Sequence, residues 1–160
     1  MSDLETGYFS TLTSIAQGMI APGTWNAGAT THTANANDAY IAAQTTQVNN
    51  KKVGLIATYE YLYAAGSSCQ GIAGTSYTLG GLTCASQDWL KPSSYVWTLN
   101  PANYDSIVAL SVTSGGTVAG SGVPDNGSVL PAVYLNSSVR ITGGNGQVGE
   151  TNSYKLSLAS

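Results

Sequence analysis

The side chains that could carry acid–base or metal chemistry are few and scattered along the sequence. His32 is the single histidine, and its Thr-rich polar surroundings favour a solvent-exposed position. The acidic residues stand mostly beside predicted turns or helix starts, at Asp3, Glu5, Asp38, Glu60, Asp88, Asp105, Asp125 and Glu150. Acid–base catalysis needs two carboxyls held in opposed environments, and this spacing offers none. We therefore predict no catalytic residue, no metal site and no cofactor, and a protein that is not an enzyme.

Two cysteines, Cys69 and Cys84, are the other reactive side chains. A structural metal site needs about four ligands, which this pair cannot supply. A disulfide across the intervening loop would add about 3 kcal/mol of stability and would imply an oxidising compartment. We expect a disulfide, and two unpaired thiols are the alternative.

Composition limits the class of protein. Charged residues make up only 8% of the chain, and the five basic residues cannot form a basic patch, so nucleic-acid binding is not expected. The hydrophobic fraction of 42% is enough for a packed core, and the length fits a single domain over residues 1–160. We find no apolar run long enough to cross a membrane. A neutral surface rich in Asn, Ser, Thr and Tyr is common in extracellular modules, and we expect any export signal or anchor to lie outside this stretch.

Two loops carry the residue types that contact surfaces favour. The stretch 100–106 contains Asn103, Tyr104 and Asp105, and the stretch 120–128 contains Asp125 and Asn126. Tyrosine supplies contact area at low entropic cost, while small polar groups adapt their hydrogen bonds. We predict that these five residues bind a ligand, although ordinary solvated turns would have the same composition. Asp125 and Asn126 could also ligate calcium, but a plain turn explains them better.

The first half of the chain contains the predicted helices. Apolar residues at helical spacing predict a helix over residues 3–20, capped by Ser2 or Asp3. We interpret it as a core-packing helix; the alternative is the lower part of a longer, pilin-like helix. A second helix is predicted from Ala39 to about Val48, and a third over residues 59–65 after Thr58. A buried strand is predicted over residues 53–57, between these two helices.

The second half has the alternating pattern of β-strands. We predict strands over residues 95–99, 107–113, 116–120, 132–135, 139–142 and 154–158. In the second of them Val108, Leu110 and Val112 share a face that should point inward. The large aromatic ring of Trp89 is expected to pack in the core. The last strand is expected to close the same sheet.

The order of several short motifs in residues 53–158 resembles a known family. Residues 53–66, VGLIATYEYLYAAG, resemble the strand-into-helix segment of C-type-lectin-like proteins, which include the formylglycine-generating-enzyme relatives. Residues 97–101, 129–135 and 139–144 are similar to the end of a surface domain found in pilin-like and secreted bacterial proteins. The chain departs from that ending, since Leu130 stands where the family has arginine and Ser128 where it has glycine.

The resemblance implies a C-type-lectin-like α+β fold, with two or three short helices packed on a twisted antiparallel sheet. Variable proteins of diversity-generating retroelements use that fold to display a ligand-binding face. The cysteines do not match the active-site positions of the formylglycine-generating enzymes, so that activity is not carried over. We therefore expect an extracellular, cell-surface binding module for a protein or glycan ligand. The alternative is a structural subunit of an extracellular filament or pilus, which binds copies of itself.

Overall fold

The computed structural model describes residues 3–32, 34, 36–64, 88–122, 125–145 and 152–159. The predicted disulfide between Cys69 and Cys84 lies outside these residues. The chain divides into two compact units. The first comprises Met1–Gly23, Asn50–Val53 and Val133–Ser160, and the second comprises Thr24–Asn49 and Gly54–Ala132.

The first unit begins with two short helical pieces where a single helix over residues 3–20 was predicted. A π-helical segment spans Leu4–Phe9, and helix α1 spans Ser14–Met19. The helix breaks because hydroxyl groups compete for the backbone: Ser10 Oγ donates to the Thr6 carbonyl, and Thr13 accepts from the Ala16 N–H as the cap of a new helix. Asp3 makes no side-chain capping bond. Neither piece contains a buried residue, so the prediction of a core-packing helix is wrong.

The first unit also contains two antiparallel strand pairs. Strand β1 (Ile20–Ala21) pairs with β8 (Pro131–Leu135), with Ile20 opposite Leu135. Strand β9 (Val139–Gly143) pairs with β10 (Lys155–Leu158) in a two-stranded sheet. The prediction that the last strand closes the main sheet is therefore wrong, although both strands lie where the alternation placed them.

The remaining short elements lie wholly or mostly in the second unit. They are β2 (Gly23–Asn26), α2 (Ala36–Ala43), β3 (Gln47–Lys51), β4 (Val53–Leu55) and α3 (Thr58–Ala64). Strand β2 neighbours β3, so Val48 belongs to a strand and not to the second predicted helix. Helix α3 confirms the third predicted helix. Its Glu60 carboxylate accepts the Ala57 N–H at 2.7 Å, which caps the first turn.

The main sheet of the second unit consists of β5 (Val96–Pro101), β6 (Val108–Val112) and β7 (Val118–Gly122), in that order. All pairs are antiparallel, and Val96, Val112 and Val118 stand side by side. The inward face of β6 is confirmed, because Leu110 and Val112 are fully buried and Val108 packs against the same core. Helices α2 and α3 supply Ala39, Tyr61 and Leu62 to that core.

A buried amide connects three elements of this unit. The side chain of Asn100 is 1% exposed, and its Oδ1 accepts the backbone N–H of Thr58 at 2.8 Å and the Thr58 hydroxyl at 3.2 Å. Its Nδ2 donates to the carbonyls of Gly28 at 3.0 Å and Asn26 at 3.3 Å. Asn100 thus joins the start of α3 and the segment after β2 to strand β5.

The prediction for Trp89 is wrong. Its ring is 78% exposed, whereas the neighbouring Leu90 packs against the core and Asp88 is buried. The described residues form an α+β structure with several small antiparallel sheets, where one continuous sheet was expected. Within the ranges described, no helix has the length and hydropathy to cross a bilayer.

Candidate functional site

The loop between β5 and β6 presents three of the five predicted contact residues on a fixed backbone. The N–H of Asn103 donates to the Thr30 carbonyl at 2.8 Å, which attaches the loop to the segment after β2. Asp105 closes the loop, because its Oδ1 accepts the N–H of Ile107 at 3.1 Å and its carbonyl accepts the N–H of Val108 at 3.2 Å. Such an aspartate turn holds a loop without help from a ligand.

Tyr104 projects from this loop and is 51% exposed. Its ring meets the His32 ring edge to face, with 5.5 Å between centroids and 80° between planes. Its hydroxyl end lies directly against the α-carbon of Gly120, in the space that a side chain at position 120 would occupy. The ring is therefore held at two points while half of its surface remains open to solvent.

The structure divides the other two predicted residues between two places. The N–H of Asp125 donates to the carbonyl of Gly122, and Gly122 pairs with Val108, where the Tyr104 loop joins β6. Asn126 instead precedes Gly127, which packs against the rings of Tyr95 and Trp97 near the start of β5. One end of the sheet thus carries Asn103, Tyr104, Asp105 and Asp125. Asn126 lies in the segment that runs toward the start of β5.

The Tyr104 surface is defined here as the exposed residues Asn103, Tyr104, Asp105, Ile107 and Asp125. Ile107 was not singled out from the sequence, because alternation placed it within a strand; it lies just before β6 and is 65% exposed. The surface joins an aromatic ring and an aliphatic side chain to two carboxylates. Such a surface can bind by contact area and hydrogen bonds.

His32 differs from its expected position in solvent. It is half-buried against Tyr104, and its buried Nδ1 has no hydrogen-bond partner among the described residues. The sequence contained no signal for this contact, because it depends on Thr30 pairing with Ala102 across 72 residues. The His32 ring packs against the Tyr104 ring and restrains it.

The three side chains with shifted pKa values are partly or fully buried, and each makes a hydrogen bond to the backbone. Burial raises the pKa of Glu60, and the Ala57 N–H that it accepts opposes the shift. Burial raises the pKa of Asp88 to about 6, opposed by the N–H of Leu90. Burial, and then the charge of Asp88, raise the pKa of Tyr61, whose hydroxyl donates to the Gly116 carbonyl. Over the described ranges, no cluster of three or more His, Cys, Asp or Glu could hold a metal ion.

A shallow cavity lies beside strands β5 and β6 of the main sheet. Its volume is about 290 Å³, and Leu55, Trp97, Thr98 and Ala109 line it. No ionisable group is among these lining residues, and their polar side-chain groups are the Trp97 indole N–H and the Thr98 hydroxyl. That hydroxyl already donates to the Leu110 carbonyl at 2.8 Å.

Replacing Asp88 with asparagine is expected to stabilise the protein at pH 8 by about 2 kcal/mol, with little effect at pH 4. Asp88 is 5% exposed, and its Oδ2 has no hydrogen-bond partner among the described residues. Because its folded pKa lies above the unfolded value, its contribution is favourable below about pH 4 and is lost as the pH rises through about 6. Asparagine keeps the acceptor for Leu90 and removes the buried charge. Urea unfolding across this pH range measures the difference, with the exposed change Asp125→Asn as the control.

No protein-family model, curated protein sequence or solved structure matches this chain.

Proposed function

We propose that the chain is an extracellular, surface-displayed binding module with a C-type-lectin-like fold, which contacts a protein or glycan without transforming it. The observation that carries the proposal is the fixed and open Tyr104 ring. Binding surfaces gain affinity from aromatic anchors whose conformation is already set, because little entropy is lost on contact. The ring contacts to His32 and Gly120 supply that restraint.

The use of the acidic side chains supports a binding role over a catalytic one. Glu60 caps α3 and Asp105 closes a turn, so both carboxylates accept backbone N–H groups. A general acid or base needs a reacting group within hydrogen-bond reach in an accessible site. The α+β content and the antiparallel sheet are compatible with the C-type-lectin-like fold. The low charge of the chain supports an extracellular location.

A second candidate function is a structural subunit of an extracellular filament. It is favoured by the β9–β10 hairpin of the first unit. Ile141 pairs with Leu156 and Val139 with Leu158, so four apolar side chains share one face. Ile141 is 61% exposed and Leu158 is 46% exposed. A two-stranded sheet is only marginally stable alone, and a large exposed apolar face commonly marks an interface.

An array experiment tests the proposed function. Glycans and extracellular proteins, with the chain itself included as one spot, are probed with labelled wild-type protein at micromolar concentration. The proposal expects at least one bound partner. Binding to the chain's own spot alone would favour the filament subunit, and binding to no spot would contradict the ligand-binding module.

A further inference from the structure

The charges of the chain are divided unequally between its two units. Four of the five basic residues belong to the first unit, namely Lys51, Lys52, Arg140 and Lys155. Five of the eight acidic residues belong to the second unit, namely Asp38, Glu60, Asp88, Asp105 and Asp125. Counting side chains, the first unit has a formal charge of +1 and the second a formal charge of −4.

The division coincides with an exposed apolar patch on each unit. On the first unit the hairpin face, defined as Val139, Ile141, Leu156 and Leu158, lies on strands that also carry Arg140 and Lys155. Arg140 pairs with Ser157, so its side chain starts on the opposite face, and its Nη1 donates to the carbonyls of Ser137 and Val139.

On the second unit the Tyr104 surface has the opposite character. Tyr104 and Ile107 supply apolar area, and Asp105 and Asp125 flank it with negative charge. The apolar hairpin face, on the unit with a formal charge of +1, can thus meet an apolar centre with acidic neighbours on the unit with a formal charge of −4. Interfaces combine an apolar centre with complementary charge at the rim, and the charges select the partner and its orientation.

We infer that the partner of the Tyr104 surface is a second copy of this chain, which docks its hairpin face there. The inference rests on the proposed function, since it names the occupant of the same surface. Two different patches meet in this contact, so each copy retains one unused patch, and the pair retains one of each kind. A contact of this type leads to rings or open filaments. The patches are small, so the contact is expected to be weak and reversible.

Mixing two complementary variants tests the inference. One carries Ile141→Thr and Leu158→Thr, which remove apolar surface from the hairpin and keep side chains that favour strands. The other carries Tyr104→Ser and Ile107→Ser, which remove the apolar centre of the second patch. Each variant keeps one intact patch, so each alone should sediment as a monomer at sub-millimolar concentration. Their mixture should form a one-to-one complex, and wild type should form larger species.

The outcomes separate the inference from its alternatives. Association of the Tyr104 variant with itself would overturn the inference, because the hairpins would then pair with each other or with a different surface. Monomeric wild type, or a mixture that stays monomeric while circular dichroism shows both variants folded, would also overturn it. A partner on the array that needs Tyr104 would leave the proposed function standing in those cases.

The salt dependence of association is a second measurement, because a purely apolar contact would not weaken as salt is added. Raising NaCl from about 0.05 M to about 0.5 M shortens the screening length several-fold, so the wild-type complex should weaken at least threefold. Arg140→Glu keeps the four apolar side chains of the hairpin face and changes the formal charge of the first unit from +1 to −1, so it should weaken the complex in low salt. Association that is unchanged by both would contradict the charge complementarity on which the choice of partner depends.

Discussion

Asn100→Ala is expected to lower the free energy of unfolding of the second unit by about 3 kcal/mol. The substitution removes an acceptor from the buried Thr58 N–H and a donor from the carbonyls of Gly28 and Asn26. Buried polar groups that lose their partners cost about 1–3 kcal/mol each, and partial relaxation reduces the sum. All three tryptophans, Trp25, Trp89 and Trp97, belong to this unit, so their fluorescence during urea unfolding reports its stability.

Two further variants separate hydrogen bonding from side-chain volume. Asn100→Asp keeps the size of the side chain and the acceptor for Thr58, but it places an oxygen opposite the Gly28 and Asn26 carbonyls. It should therefore also destabilise the unit. Asn37→Ala, an exposed change in α2, should stay within about 0.5 kcal/mol of wild type. A loss below about 1 kcal/mol in Asn100→Ala would mean that the amide does not join these elements.

Gly120→Ala is expected to weaken binding at the Tyr104 surface tenfold or more while costing less than about 1 kcal/mol of stability. A methyl group at position 120 occupies the place of the Tyr104 hydroxyl, so the ring must move. The end of a flexible, half-exposed side chain moves at low energetic cost, and thus the fold should survive. The binding geometry should be lost, because the Tyr104 ring no longer has a fixed orientation.

A second substitution that restores the affinity would show that Gly120→Ala acts through the position of the Tyr104 ring and not through general damage to the fold. The double variant Gly120→Ala/Tyr104→Phe removes the hydroxyl that collides with the new methyl group, so the ring can return against His32. Its affinity should recover to within about threefold of the Tyr104→Phe single variant, measured by biolayer interferometry against the partner identified on the array. If Gly120→Ala binds like wild type, or if the double variant stays as weak as Gly120→Ala, the ring's fixed position is not what the partner recognises.

The sequence predicted most of the strands and the third helix, because alternation and turn residues are local signals. Leu110 and Val112 lie inward as their periodicity requires. The predictions that failed depend on competition or on long-range contacts. Ser10 and Thr13 interrupt a helical pattern by bonding the backbone themselves, and the exposure of Trp89 is decided by which neighbour, Leu90 or Trp89, meets the core.

The candidate site was predictable in its residue types but not in its arrangement. Tyr104 was selected because tyrosine between small polar residues is typical of contact loops. Its restraint by Gly120 and His32 depends on the register of β6 with β7 and on the pairing of Thr30 with Ala102, which no local pattern encodes. The same register brings Asp125 to the Tyr104 end of the sheet and leaves Asn126 outside the surface.

The affinity of the Tyr104→Ala variant is the most direct measurement of the central claim, that a fixed and open tyrosine surface makes this chain a binding module. The account predicts that at least one partner from the array, or the chain itself, loses tenfold or more in affinity on this substitution. Tyr8→Ala removes another exposed tyrosine, 40% against 51%, which belongs to the first unit and lies outside the hairpin strands, and it should change that affinity less than twofold. If every bound partner keeps its wild-type affinity for Tyr104→Ala, the account is contradicted.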